Sequence, residues 1–215
     1  MAASEAHRLH AAFYLALMTG MRRGELLGLH WADLDWERSR LRVRHNLIEV
    51  RAEGTAGKQH AGKDTVSSVR VMLQTPKTQA SRRTVVLSPG TVSKLREHQA
   101  RQKVERENAG SAWQDQGLIF SNELGGLTNP HALYDWFKAI TETAGLPPIR
   151  FHDLRHTAAS LMIHRGVSPK TVSDRLGHSD VAFTLRTYAH LYDEQREEAA
   201  FDLTDLFPVA VGGAN

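Results

Sequence analysis

FHDLRHTAASLMIHRGVSPKTVSDRLGHSDVAFTLRTYAH, residues 151–190, is the stretch from which the rest of the chain is read. Asp153 to Arg165 has a helical period, with Leu154, Ala158, Leu161 and Met162 on one apolar face and Gly166 as the stop. His152 and Arg155, three apart, share a side near the start of that helix. Unpaired N–H groups there favour an anion. Ser168-Pro169 caps and starts a second helix, which Gly177 closes, so His178 projects from a tight turn. Ser179-Asp180 caps a third helix, and Tyr188 sits on it. Together these groups are able to hold, protonate and attack a phosphodiester.

The chain has 215 residues, enough for one substantial core, and its 41% hydrophobic content suits a globular fold. No apolar run approaches the length of a membrane span, and no membrane partner is expected. Arg8, His7 and His10 interrupt the first hydrophobic pattern, which excludes a signal-peptide layout. Without cysteine there is no disulfide framework, thiolate nucleophile or Cys-ligated metal. The interior of a bacterial-type cell fits this composition. The net charge of +3 says little, but its distribution says more. Arg70 to Arg106 holds nine Lys and Arg against two Glu, whereas Asp193 to Phe207 holds six acids against one Arg. A basic middle suits a polyanion and an acidic tail suits a protein surface, although either is also an ordinary solvated helix face.

Working outward, Leu9, Ala12, Phe13, Ala16 and Leu17 predict a helix from about Ser4 to Met18, stopped by Gly20. A short helix follows from about Arg22 to Leu29, then a turn over residues 31–35. Leu41, Val43 and His45 alternate with Arg40, Arg42 and Arg44 as a strand does. Residues 51–68 read as a mobile loop or an irregular hairpin extension. Residues 69–73 and 84–87 read as two more strands, joined through TPKTQASRR, which complete one small antiparallel sheet. Ser88-Pro89 starts a long polar helix to about Asn108, and Asn129-Pro130 starts another to about Ala144. The expected fold is mainly α with a small antiparallel β-sheet (α+β), in one domain.

Taken singly, a Tyr on a helix is amphipathic packing, a His in a turn is a cap, and a buried Arg is an ion pair. The constellation changes that reading, because its spacing resembles the tyrosine recombinase (phage integrase) family. TGMRRGELLGLHWADLD resembles the family's first arginine box, with Arg22 as the catalytic arginine and Glu25 as its acidic residue. PKTQASRRTVVL resembles the β-hairpin lysine segment and points to Lys77. HDLRHT supplies His152 and Arg155, LGHSD supplies His178, and TYAHL supplies Tyr188 as nucleophile. The resemblance implies the DNA breaking-rejoining catalytic-domain fold over 1–207, with a flexible tail over 208–215. It also implies that N-terminal core-binding and arm-binding domains lie outside this chain, which then reads as a fragment of a longer recombinase.

The chemistry so implied is strand cleavage through a 3′-phosphotyrosine, with no metal, ATP or other cofactor. Arg22 and Arg155 suit the phosphate, since a guanidinium is permanently charged and donates two parallel hydrogen bonds. His178 adds a further donor. Lys77 is the expected acid for the leaving 5′-oxygen, and His152 the acid–base partner of the tyrosine hydroxyl. Glu25 either holds Arg22 in place or forms an ordinary helix ion pair. Arg70, Arg82, Arg83 and Lys94 are expected on the DNA backbone. Implied partners are double-stranded DNA and, for the longer protein, other protomers in a tetrameric synapse. The tail helix over residues 193–207 packs on a neighbour or on its own domain. The expected location is cytoplasmic, with the nucleoid. Type IB topoisomerase chemistry and a non-catalytic DNA-binding accessory fragment stand as alternatives. A metallohydrolase built on His152 and His156 does not fit, because Arg155 puts a permanent cation between the ligands.

Overall fold

Helix α1 (His10–Thr19) is apolar on nearly every side, which places it at the centre of the molecule. Leu9, Ala12, Phe13, Leu15 and Ala16 are at most 3% exposed. Burying each large side chain of this set contributes about 1.5–3 kcal/mol. The computed structural model describes residues 1–51, 69–75 and 82–193. Lys77, the loop expected over residues 52–68, and the tail beyond Asp193 lie outside that range, so those expectations stand as they were.

The other helices are α2 (Arg23–Leu27), α3 (Pro89–Ala109), α4 (Pro130–Thr143), α5 (Asp153–His164), α6 (Pro169–Leu176) and α7 (Val181–Asp193). Around α1, α2–α4 and the strands close one core that includes Leu26, Leu27, Leu95, Phe120, Leu133 and Phe137. A second cluster joins α5, α6 and α7 through Ala159, Ile163, Val172, Leu176 and Tyr188. Helix α1 packs against α3 on one side and α5 on the other, so it carries the site's helices on the main core.

Three helix starts follow from short capping signals. Ser88 Oγ accepts from Thr91 N at 3.3 Å, Asn129 Oδ1 from His131 N at 2.9 Å, and Ser168 Oγ from Thr171 N at 3.3 Å. Each cap is followed by proline, which lacks the N–H that the first turn cannot use. Helix α1 starts later than its apolar period suggests. Ser4 Oγ bonds Met1 O and the His10 ring, and His7 Nδ1 accepts from Leu9 N. These bonds hold residues 2–9 in a 3₁₀ turn and loop.

The strands are β1 (Leu34–Asp35), β2 (Arg40–Arg42), β3 (Asn46–Arg51), β4 (Val69–Gln74) and β5 (Thr84–Val86). They form two antiparallel sheets rather than one: β1-β2-β5, and β3-β4. In the first, Leu41 lies opposite both Leu34 and Val85, all three buried, while Arg40 and Arg42 face out. In the second, Leu47 pairs with Leu73 and Ile48 with Met72. Strand β4 therefore pairs with residues just past the Leu41–His45 alternation and not with β5. Residues 46–50 show no clean period of two, so the partner strand carries no local signal.

Gly20 ends α1 in the left-handed conformation, with φ of 66°. A Cβ there would collide with the Leu176 side chain and meet Ala158 Cβ at 3.3 Å. Only glycine lets α1, α5 and α6 meet this closely. Gly20→Ala is expected to cost about 1–3 kcal/mol of stability in urea unfolding. An unchanged midpoint would mean that these helices separate without penalty.

Candidate active site

The site grows from the meeting of two helix C-termini. Helix α6 ends at Gly177, left-handed with φ of 74°, and α1 ends at Gly20. Their last carbonyls have no partner within the helix and carry the negative end of the macrodipole. Four arginines reach carbonyls at or beside these ends. Arg155, on α5, donates from Nη1 to Gly20 O at 2.7 Å and to Leu176 O at 2.9 Å. Arg22 approaches Gly177 O at 3.4 Å. Arg83 Nε donates to Arg175 O at 2.7 Å, and Arg175 donates to Val86 O and Met18 O.

One carboxylate lies within this positive cluster. Glu25 is 3% exposed and accepts from Arg22 N at 2.9 Å and Arg22 Nη1 at 3.1 Å. On its other side Arg83 makes a two-pronged contact, at 3.0 and 2.9 Å. Burial by itself would raise the Glu25 carboxyl. The hydrogen bonds and charges of Arg83 and Arg22 outweigh burial and hold it below the usual carboxylate range.

Arg155 is 4% exposed, and its Nη2 is buried with no partner among the described residues. Burial, followed by the charge of Arg22, draws its guanidinium down to about 10, so it remains charged at neutral pH. Arg22 lies beside it, with a side chain 43% exposed. His178 shares a 2.8 Å hydrogen bond with the buried Thr184 hydroxyl, and Phe183 meets its ring edge-on. Burial and then Arg155, Arg22 and Arg83 push it down to about 4, which makes it neutral at pH 7.

Tyr188 lies at a kink in α7, with φ of −121° and ψ of 17°, and is 4% exposed. Its hydroxyl is 2.9 Å from His156 Nδ1. Burial raises the hydroxyl above its ordinary value of 10, with the Arg155 charge opposing. The hydroxyl thus meets His156, where the sequence reading places His152. His152 sits one turn earlier, its ring 5.3 Å from that of His156 and at right angles to it. Burial, then His156 and Arg155, lower it from 6.5. The two histidines are four apart on one helix face, and that spacing was the available signal for His156.

The fold thus gathers Arg22, Glu25, His152, Arg155, His178 and Tyr188 from α2, α5, the turn after α6, and α7. The four residues expected on the DNA backbone divide. Arg70 and Arg82 are exposed. Lys94 reaches Glu97 at 2.9 Å on the surface of α3. Arg83 is different: its side chain is 8% exposed and commits its donors to Glu25 and Arg175 O. It is a positioning residue, not a free surface cation.

The model of the phage integrase family matches residues 1–195. The chain is 38% identical over 208 residues to a tyrosine recombinase XerC-like protein of Caldanaerobacter subterraneus subsp. tengcongensis, covering 95% of this chain and 51% of that protein. It is 30% identical over 214 residues to the ICEBs1 integrase of Bacillus subtilis, covering 92% and 49%. The chain therefore spans about half the length of the curated relatives it matches. Among solved structures, the Tn1549 transposon integrase in complex with transposon right end DNA superposes with a TM-score of 0.69 at 21% identity, over 91% of this chain and 60% of that one. At that identity the likeness speaks for the fold, which is that of a tyrosine recombinase catalytic domain.

Removing the Glu25 carboxylate leaves Arg83 buried and uncompensated. Glu25→Ala is expected to destabilise the chain by about 3–5 kcal/mol in denaturant unfolding. Because the folded carboxyl titrates below 4.5, its contribution is in place above that pH and is lost as pH falls through the lower, folded value. Glu25→Gln is therefore expected to flatten the acid limb of the stability–pH curve. An acid limb as steep as the wild type's would place the acid sensitivity elsewhere.

Proposed function

The chain belongs to the phage integrase family of tyrosine recombinases, and from that premise we propose that it carries out DNA strand cleavage and rejoining with Tyr188 as the nucleophile. The tyrosine oxygen attacks phosphorus and the bond to the 5′-oxygen breaks. The products are a 3′-phosphotyrosyl link and a 5′-hydroxyl, and attack by a 5′-hydroxyl reverses the step and reseals the strand. The substrate is duplex DNA, in keeping with the DNA complex in which the Tn1549 integrase was solved. Other protomers join in a synapse of the longer protein.

The observation that carries this reading is Nη2 of Arg155, buried and without a partner among the described residues. A buried cationic N–H without an acceptor is costly, and a phosphate oxygen would satisfy it. Arg22, half-exposed beside it, supplies the second guanidinium. Fixed donors of this kind meet the charge that builds on the non-bridging oxygens. His178 is neutral at pH 7, so it stabilises the phosphate as a hydrogen-bond donor without adding charge. Lys77 serves as acid for the leaving 5′-oxygen.

His156 is the group that the resting chain offers for the tyrosine proton, at 2.9 Å. His152, lowered from 6.5 and therefore neutral at pH 7, stands behind it as a second acceptor. The general base is thus read as a pair of histidines one helical turn apart.

A suicide substrate nicked beside the cleavage point of its core site tests this directly. Wild-type protein is expected to give a denaturation-resistant protein–DNA adduct and Tyr188→Phe none. Arg155→Ala and Arg22→Ala should each slow adduct formation by about 10²–10³-fold. His156→Ala should slow it by about 10²-fold. An adduct formed by the Tyr188→Phe variant would remove Tyr188 from the role of nucleophile.

A further inference from the structure

Three potential metal ligands meet beyond the other end of α2 from Arg22. They are His30, Asp33 and His45, and one ligand atom from each lies within 4.8 Å of the others. His30 follows α2, Asp33 ends the 3₁₀ turn Trp31–Asp33, and His45 lies in the connection between β2 and β3. The His30 and His45 rings stand 4.5 Å apart at 56°. Two backbone segments are pressed together here, since a Cβ on Gly28 would meet the carbonyl carbon and oxygen of His45 at 2.9 Å.

The polar bookkeeping of this cluster does not close on protein groups alone. Asp33 is 6% exposed, and its Oδ2 is buried with no hydrogen-bond partner among the described residues. His45 Nδ1 is buried and unpartnered as well. The two atoms face each other at 3.8 Å, too far for a hydrogen bond. That spacing admits an ion between them. Zinc bonds of about 2.0–2.2 Å to oxygen and nitrogen set donors about 3.4 Å apart in a tetrahedron. The observed pair needs only a small contraction to reach it.

The surrounding contacts fit a cation. Asp33 Oδ1 is engaged by Arg44 Nε at 3.2 Å, which orients the carboxylate and leaves Oδ2 inward. His30 Nδ1 lies 3.0 Å from Gly28 O. A carbonyl can only accept, so Nδ1 is the protonated nitrogen and Nε2 keeps the lone pair. A ring N–H held by a backbone carbonyl is the usual support of a metal-bound imidazole.

We propose that His30, Asp33 and His45 bind one zinc ion, with water as the fourth ligand, clamping the segment after α2 to the β2–β3 connection. Two imidazoles and one carboxylate favour zinc over magnesium or calcium, which prefer all-oxygen sets. The role is structural and is independent of the strand-cleavage chemistry at the far end of α2.

Titration of the metal-free full chain with zinc chloride, read by calorimetry and by thermal melting, tests this. Wild-type protein is expected to bind one zinc per chain at this site, with a rise in melting temperature that EDTA reverses. Asp33→Asn, which keeps the side chain's shape, and His45→Gln should each weaken that binding at least 30-fold and abolish the rise. His156→Ala, which disrupts the His152–His156 pair, should leave both intact. Equal zinc affinity in wild type and both cluster variants would overturn the proposal. So would loss of binding in His156→Ala, or a wild-type cluster that takes up no zinc and is bridged by water alone.

Discussion

Burying the Glu25 carboxylate alone would be strongly unfavourable, and so would gathering Arg22, Arg83 and Arg155 without a counter-charge. Each problem is the other's solution. Glu25 takes two hydrogen bonds from Arg22 and two from Arg83, and the combined attraction keeps it ionised. Arg83 is then anchored to the end of α6 through Arg175 O, and Arg155 to the ends of α1 and α6 through Gly20 O and Leu176 O. One buried negative charge thus ties α2 and the strand edge at Arg83 to the helices that carry the rest of the site. Nη1 of Arg155 holds two carbonyls, and its buried Nη2 is left without an acceptor among the described residues.

Two histidines near this cluster feel it in the same direction but to different extents. His178, buried and facing Arg155, Arg22 and Arg83, falls to about 4, while His152, just before α5, is lowered by burial first and then by His156 and Arg155. Neutral imidazoles beside fixed guanidiniums give the cluster two different kinds of polar group. The arginines supply charge that no working pH removes, and the histidines supply lone pairs or donors that can move a proton.

Much of this was legible because it is local. Ser88-Pro89, Asn129-Pro130 and Ser168-Pro169 each combine a capping side chain with a residue that only a first turn tolerates, and all three open helices as expected. The stop at Gly177 is likewise a property of neighbouring residues, whereas the apolar face expected on α5 is only partly right: Ala158 is buried, but Leu161 is exposed and Ala159 and Ile163 face the core instead. What was not legible depends on contacts across the chain. Strand β4 finds β3, whose short run carries no clear alternation, so one expected sheet became two. Arg83 reads as a surface cation in a basic stretch until Glu25, 58 positions away, is brought against it. His156 reads as a spare histidine until α7 folds back and delivers the Tyr188 hydroxyl from 32 positions on.

The acceptors that hold Arg155 and Arg175 are all main-chain carbonyls: Gly20, Leu176, Val86 and Met18. A carbonyl belongs to every amino acid, so no point substitution at Leu176, Val86 or Met18 deletes the acceptor itself. Side chains along these segments are free to drift, provided that the helix ends stay where they are. The vulnerability of the cationic cluster to mutation is therefore concentrated in the arginines, in Glu25, and in the two glycines whose left-handed turns bring the carbonyls within reach. Far-diverged sequences with the same helix ends would keep the same guanidinium geometry.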